Sequence, residues 1–138
     1  MKKYYPYLID IVLFTFIFLL ICLSLSVAPF GPKTLLTIDL GQQYIDFFAL
    51  FKEAFLHDHS QFIYSFQKGI AGETIGLWTY YLLSPFNLLF LGFKETDFPI
   101  AVTLITYLKL LACSISFLYF TRQKFNLSLA YQLSFALF

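Results

Sequence analysis

Long apolar runs alternate with one mixed interval along the chain, and the runs predict its helices. Apolar residues fill 8–30 and 98–120, interrupted mainly by Asp10 in the first run and Lys109 in the second. Each run reaches the roughly 20 residues that an α-helix needs to cross a bilayer. The first also exceeds the apolar core of about 7 to 15 residues typical of a cleaved signal peptide. The pattern predicts two transmembrane helices, and the apolar stretch 127–138 predicts the start of a third.

The interval between the two runs, 31–97, carries shorter patterns. It follows the sequence APFGP, whose prolines stop a helix. Residues 44–56 have helical spacing, whereas 78–91 is aromatic and apolar but interrupted by Pro85. At about 14 residues this segment is short for a span, and tyrosine and tryptophan favour the headgroup level. We therefore expect 78–91 to form a re-entrant or interfacial pair of short helices.

Positive charges flank the two predicted spans and set their expected orientation. Lys2 and Lys3 precede the first, and Arg122 and Lys124 follow the second, while the interval holds four lysines and seven acidic residues. Basic residues favour the cytoplasmic side. The predicted order is a cytoplasmic N-terminus, 1–7; transmembrane helix 1, 8–30; an extracellular loop with membrane-surface helices, 31–97; transmembrane helix 2, 98–120; a cytoplasmic turn, 121–126; and the start of a truncated transmembrane helix 3, 127–138.

Composition supports an all-α polytopic membrane protein. Of its 138 residues, 59% are hydrophobic and only 12% are charged, against about 25% charged in soluble domains. A net charge of +1 without a basic run gives no surface for nucleic acid. Both cysteines lie in apolar runs, where cysteine usually acts as a small hydrophobe. Because 127–138 ends within an apolar run, we expect a fragment, the N-terminal part of a longer membrane protein.

The densest polar cluster lies in the sequence TIDLGQQYIDFFALF, residues 37–51. Asp39, Gln42, Gln43 and Asp46 follow one another at spacings of three, one and three residues. These spacings place all four on one helix face, and the other face would carry Tyr44, Ile45, Phe48 and Phe51. A helix of this kind suits a membrane surface. We expect the carboxylates to face a water-filled site.

Two interpretations of Asp39 remain open from the residues alone. At the exit of the first span, a carboxylate can act as a general base on an acceptor hydroxyl, or hold a divalent cation against a phosphate. Aspartate is equally a preferred N-cap at the start of a helix. The other acidic motif, His57-Asp58-His59, is incomplete as a metal site and is better interpreted as a solvated turn.

Two lysines are candidate contacts for a phosphate or a lipid. Lys68 adjoins the sequence GIAGETIG, which lacks the GK[ST] ending of a phosphate-binding loop and is better interpreted as a turn. Lys109 lies near the middle of the second span, where insertion of a lysine costs about 2.5 to 3.5 kcal/mol. Such a residue should face a bundle interior or an aqueous cavity.

The combination of DLGQQYIDFF and YYLLSPFNLL with the flanking spans resembles the N-terminal region of the YfhO family of bacterial membrane proteins. Members of that family are similar to the GT-C class of polytopic glycosyltransferases. The resemblance extends over essentially the whole chain. It implies a fold of many membrane helices, in which the first external loop carries helices along the membrane and an aspartate near its start.

The resemblance also implies an activity and assigns residues to it. In the GT-C class the donor is a sugar on a polyprenyl phosphate, the acceptor is a cell-envelope molecule, and the loop aspartate is a base or is linked to a metal ion. Asp39 matches that position, and Asp46 and Gln43 would support it. The acceptor implied is a teichoic-acid-like polymer of the bacterial envelope. The resemblance leaves the cofactor open, with a divalent cation as the candidate if the aspartate acts through a metal ion.

Two other classes of function compete with the transferase. A transporter or flippase of lipid-linked substrates would use Lys109 to line its pathway. A non-catalytic membrane partner would use 31–97 as a docking surface, with Asp39 only capping a helix. Both alternatives share the expected membrane location and contact with membrane lipid.

Overall fold

The structure is a computed structural model that describes residues 4–66 and 72–137. The chain divides into two compact units, each described separately below. The first comprises Met1–Lys33 and Thr106–Phe138, and the second comprises Thr34–Ile105. The elements in chain order are α1, Tyr5–Leu25; a π-helical turn, Leu40–Tyr44; α2, Ile45–Leu56; a 3-10 turn, His59–Phe62; β1, Tyr64–Ser65; β2, Gly72–Glu73; α3, Ile75–Leu77; a second π-helical turn, Trp78–Leu82; 3-10 helices Pro85–Gly92 and Glu95–Asp97; α4, Phe98–Lys124; and α5, Leu129–Leu137.

The first unit contains α1, the C-terminal part of α4, and α5. α1 has 21 residues, so its length of about 32 Å matches the apolar thickness of a bilayer. Helix α4, with the 3-10 turn before it, is also long and apolar enough to cross a membrane. Most side chains of α1 are exposed although they are apolar, which in a membrane is the surface that meets lipid. These helices confirm the predicted class, an all-α polytopic membrane protein.

Helix α1 ends at Leu25, before the limit of the predicted span at residue 30. Ser26 takes the left-handed conformation, with φ 55°, and its amide donates to the carbonyls of Cys22 and Leu23. This arrangement closes the helix and turns the chain. Gly31 packs against the same turn, where a Cβ would lie 2.5 Å from the carbonyl oxygen of Ser26. Only glycine fits such an approach, so the helix end is fixed locally.

The second unit is organised around α2, whose helical pattern over 44–56 is confirmed by the helix at Ile45–Leu56. One face of α2 is buried, with Phe48, Phe51 and Ala54 contributing to the core. The hairpin of β1 and β2 pairs Tyr64 with Glu73 in antiparallel register. This two-residue pairing is the only sheet in the described ranges, and it leaves the helical character of the unit unchanged.

The segment predicted to be a pair of short helices is a broken pair. Its halves, Ile75–Leu82 and Pro85–Gly92, meet at an angle of 98°. The break coincides with Pro85, which has no amide hydrogen to continue a helix. The buried amide of Asn87 donates to the carbonyl of Leu82 at 3.1 Å, satisfying an acceptor that the bend frees. Length and composition allow either a broken span or a re-entrant loop.

Candidate functional site

A tight turn at Ile38 precedes the helical stretch that begins at Asp39. Ile38 has φ 51°, which is unusual for a β-branched residue, and its carbonyl accepts from the amide of Gln42 at 3.0 Å. A Cβ on Gly41 would lie 2.8 Å from the carbonyl oxygen of Leu36. The close passage of these two backbones therefore requires glycine. The turn sets where the polar face of the helix starts.

The polar face consists of the four predicted residues, Asp39, Gln42, Gln43 and Asp46. All four are exposed. The π-helical turn over Leu40–Tyr44 and the following α2 carry them on one continuous helical stretch. The structure thus places Asp39, Gln43 and Asp46 along one helical stretch of the second unit with their side chains exposed. The π-helical turn departs from the 3.6-residue period of an α-helix, so a single face shared by all of them stays a prediction.

Asp39 does not act as a helix N-cap in the described part of the chain. Asp39 has helical backbone angles, φ −59° and ψ −35°, and its side chain makes no capping hydrogen bond. A capping aspartate instead takes extended angles and accepts from an amide in the first turn. Asp58 does so, because its side chain accepts from the amide of Ser60 with φ −128°. Asp39 is therefore a carboxylate held at the surface without a capping role.

The opposite face of the same helix is locked in aromatic packing. The ring of Phe48 stacks on that of Phe90 with centroids 4.0 Å apart, and the ring of Phe51 lies 5.5 Å from Trp78. Aromatic pairs of this kind contribute about 0.5 to 1.5 kcal/mol each beyond the burial of their area. The packing holds α2 in place, and with it the polar face.

Tyr44 lies between the two faces, half-buried beneath the start of the helix. Its ring meets that of Tyr81 edge to face, with centroids 4.9 Å apart. Partial burial raises the pKa of the Tyr44 phenol, and the neighbouring Tyr81, Tyr80 and Asp39 groups raise it further. A phenol is protonated at neutral pH in any case, so Tyr44 carries an O–H close enough to Asp39 for the two groups to interact electrostatically. Sequence reasoning placed Tyr44 on the apolar face and missed its polar end.

An apolar cavity of about 240 Å³ lies in the second unit, between α2 and the broken helix pair. Its walls include Phe51, Phe55, Phe62, Trp78, Leu82 and Leu88. A cavity lined almost entirely by aromatic and aliphatic side chains suits a hydrocarbon segment rather than a sugar or a phosphate. It joins the aromatic core to the bend at Ser84 and Pro85.

Lys52 is a cation that sequence reasoning missed. It lies on α2, half-buried, and its ammonium donates to the carbonyl of Phe93 at the end of the broken pair. The contact joins two segments 41 residues apart. Spacing alone could not reveal it, because the signal depends on the bend of the intervening pair.

The motif His57-Asp58-His59 is exposed, as a solvated turn would be. The hydroxyl of Ser60 donates to the Asp58 carboxylate at 2.6 Å, and this bond, with those from the Gln61 amide and the Ser60 N–H, lowers the pKa of Asp58. The Nδ1 of His59 lies 2.8 Å from the carbonyl oxygen of Ala54. Within residues 4–66 and 72–137, no three histidine, cysteine or acidic side chains group as a metal site would require.

Of the two lysines predicted to contact phosphate or lipid, the structure describes one. Lys68 lies outside the described residues. Lys109 belongs to the first unit, on α4, where it is half-buried.

The first unit holds a carboxyl group that the sequence showed only as an interruption of an apolar run. Asp10 on α1 is fully buried and accepts hydrogen bonds from Ser114 on α4. A second polar contact between the same helices joins Thr15 to Tyr107 at 2.7 Å. An isolated ionisable residue in a predicted span is the signal that could have found it.

Comparison with known proteins places the chain in a family. No curated protein and no solved structure matches it. The family described as bacterial membrane protein YfhO matches residues 10–138, nearly the whole chain. The two membrane-length helices agree with that description. The chain therefore belongs to the YfhO family of bacterial membrane proteins.

Proposed function

We propose that this chain belongs to a membrane glycosyltransferase that moves a sugar from a polyprenyl-phosphate donor to a cell-envelope acceptor such as a teichoic acid. The observation that supports it most is the construction of the α2 region. Asp39 and Asp46 are exposed on a helical stretch whose buried side is fixed in aromatic packing. A positioned carboxylate on a rigid element is what proton abstraction from an acceptor hydroxyl requires.

Asp39 is the proposed general base. Its carboxylate takes the proton of the acceptor hydroxyl while that oxygen forms a bond to the anomeric carbon of the donor sugar. The bond from the anomeric carbon to the phosphate oxygen breaks, and polyprenyl phosphate leaves with the electron pair. The configuration at the anomeric carbon is inverted. Asp46 and Gln43, exposed on the same helical stretch, would orient the acceptor by hydrogen bonds.

The apolar cavity of the second unit supports a donor with a hydrocarbon tail. The cavity has a volume of about 240 Å³, which would hold a short stretch of a polyprenyl chain but not the whole lipid. Lys68 and Lys109 are the proposed contacts of the donor phosphate, and a divalent cation held by Asp39 is the alternative means of neutralising its charge. These assignments rest on the chemistry of the donor.

The proposed arrangement in the membrane follows from charge. We propose that the N-terminus and the region of Arg122 and Lys124 are cytoplasmic, and that 31–97 lies outside with its helices along the membrane. Large exposed apolar side chains in that region support contact with lipid, among them Ile38, Tyr80 and Leu83, which are 79%, 80% and 70% exposed. In water such a surface would be an aggregation risk.

The test of the proposal is sugar transfer in membranes that contain the full-length protein. Asp39→Asn keeps the shape of an exposed side chain and removes its basicity. Loss of a general base slows transfer by about 10²- to 10⁴-fold. The matched control is Glu95→Gln, which removes a negative charge from another exposed position of the same unit. If both variants transferred sugar at the unmodified rate with equal expression, Asp39 would not be the base.

A transporter or flippase of lipid-linked substrates is the second candidate, favoured by one observation. Lys109 lies within a membrane-length helix and is half-buried. Its substitution Lys109→Met preserves length and removes charge. Loss of substrate flipping in vesicles, with sugar transfer intact, would favour this function, and unchanged flipping would exclude Lys109 from a pathway.

A further inference from the structure

The first unit contains a buried carboxyl group that takes no part in the proposed transfer reaction. Asp10 is 0% exposed and Ser114 is 3% exposed. The Ser114 hydroxyl lies 2.9 Å from Oδ1 and 3.0 Å from Oδ2 of Asp10, within donating distance of either oxygen. The pair joins α1 to α4 across 104 residues of sequence. This hydrogen-bonded pair is a polar contact between the two helices that are long and apolar enough to span the membrane.

A hydrogen bond between neutral side chains would join these helices at a lower free-energy cost than a buried carboxyl group. Thr15 and Tyr107 already form one, with oxygens 2.7 Å apart. Because the Thr15 hydroxyl donates to the carbonyl of Ile11, the phenol of Tyr107 is the donor in that pair. An asparagine at position 10 would accept from Ser114 equally well, without an ionisable group in an apolar setting. What a carboxyl group adds is the ability to bind and release a proton.

Among the described residues, no positively charged side chain forms an ion pair with Asp10. Its side-chain hydrogen bonds there come from Ser114 alone. The Arg122 guanidinium is engaged by Gln132 at 3.3 Å and lies 5.7 Å from the ring centre of Tyr7. The titratable side chains on the helices of this unit are otherwise Tyr107, Lys109, Cys113, Tyr119 and Lys124 on α4 and Tyr131 on α5, with Tyr5 and Cys22 on α1.

Ser114 also connects this carboxyl group with a cavity. Together with Phe14, Leu110, Cys113, Phe117 and Phe135, it lines a cavity of about 560 Å³ in the first unit. The other lining side chains are apolar apart from the Cys113 thiol, so Ser114 is the main hydrogen-bond partner that a water there would have. A hydroxyl has one donor and two acceptor sites. Ser114 can therefore accept from a water in the cavity while it donates to Asp10.

We propose that Asp10 is a proton-exchanging carboxyl group within the membrane, and that Ser114 relays its proton to and from the cavity. In uptake, the Ser114 hydroxyl proton moves to a carboxylate oxygen of Asp10, and a proton from a hydronium ion in the cavity replaces it on the Ser114 oxygen. Release is the reverse. The exchange is separate from the sugar-transfer reaction and stands or falls without it.

The test is infrared difference spectroscopy of the full-length protein in lipid nanodiscs, followed from acidic to alkaline pH. A protonated carboxyl group has a C=O stretch that its ionised form lacks. We expect a band that declines as pH rises, that Asp10→Asn removes and that Asp39→Asn leaves in place. In Ser114→Ala the band should persist. The rate at which the band shifts after transfer to D₂O, which measures proton exchange, should fall by at least about tenfold, because a positioned proton-transfer group accelerates transfer by about 10²- to 10⁴-fold.

Modification with an apolar carbodiimide provides a second readout that needs no variant. The reagent adds to protonated carboxyl groups, so mass spectrometry of the unmodified sequence should find an adduct at Asp10 that diminishes as pH rises. An Asp10 that stays ionised at every pH, or stays protonated throughout with no exchange, would overturn the proposal. An exchange rate unaffected by Ser114→Ala would overturn the relay.

Discussion

Phe48 is predicted to be the residue on which the positioning of the polar face depends most. Its side chain is 6% exposed and its ring stacks on Phe90 with centroids 4.0 Å apart. Phe48→Ala removes this stacking and leaves a cavity in the core of the second unit. Truncation of a buried phenylalanine to alanine costs about 3 to 5 kcal/mol. At about 1.4 kcal/mol per tenfold change, the folding equilibrium of this unit should weaken by roughly two to four orders of magnitude.

The measurement uses the single tryptophan of the chain as a local probe. Trp78 is 6% exposed and its ring lies 4.7 Å from that of Phe62, so its emission reports on the core that Phe48 helps to form. Urea unfolding in detergent micelles should show a midpoint lowered by about 2 M, for a loss near 4 kcal/mol and a slope near 2 kcal/mol per molar.

Two further variants make the experiment decisive. Phe48→Leu retains much of the volume and should cost only about 1.5 kcal/mol. Tyr80→Ala removes a ring that is 80% exposed and should shift the unfolding free energy by about 0.5 kcal/mol or less. If Phe48→Ala lowered the midpoint no more than Tyr80→Ala, the aromatic core would not be what holds α2.

Three further predictions follow from the structure. Gly41→Ala should destabilise the second unit by about 1 to 3 kcal/mol through crowding, whereas Gly92→Ala, which meets nothing within 4 Å, should be nearly neutral; Trp78 emission during unfolding measures both. Because the pKa of Asp58 is lowered in the folded state, this carboxylate stabilises the fold at pH values above its ordinary pKa of 3.8, and that stability is lost as pH falls through the folded-state pKa. Asp58→Asn should therefore remove this part of the acid dependence of the unfolding free energy. An acid dependence equal to that of the unmodified chain would contradict the prediction. In a chain without native cysteines, Glu95→Cys should react with an impermeant thiol reagent on intact cells and Lys124→Cys should not; the reverse pattern would invert the proposed topology.

Local patterns accounted for much of the fold. The length of the apolar runs predicted the membrane-length helices α1 and α4, and the helical pattern of 44–56 predicted α2. Pro85 marked the position of the break between the short helices. These features depend on residues that are neighbours in the sequence. Their physical causes, apolar transfer and the missing proline amide, act locally.

Contacts between distant residues were beyond reach. The bonds of Asp10 with Ser114 and of Lys52 with the Phe93 carbonyl join residues 104 and 41 positions apart. No periodicity encodes such pairs, since they form only once helices pack. The π-helical turn at Leu40–Tyr44 and the left-handed Ile38 were missed for a related reason: they result from the close passage of the Leu36 carbonyl past Gly41.

The predicted site residues lie close together in the sequence, and the structure shows that their side chains are exposed. Asp39, Gln43 and Asp46 belong to one helical stretch, but spacing could not foresee the π-helical turn that changes its period. Tyr44 was placed on the apolar face because its ring packs there, and only the structure reveals that its phenol has a raised pKa beside Asp39. The roles of these residues in sugar transfer remain proposals.

The kinetics of Asp39→Asn in purified full-length protein test the central claim most directly. The measurement is sugar transfer from a polyprenyl-phosphate donor to a teichoic-acid acceptor in proteoliposomes, with kcat and the KM for donor determined separately. A general base acts in the transition state, so kcat should fall about 10²- to 10⁴-fold while the KM for donor stays within about twofold. An unchanged kcat, or a defect confined to KM, would contradict the assignment of Asp39 as the base.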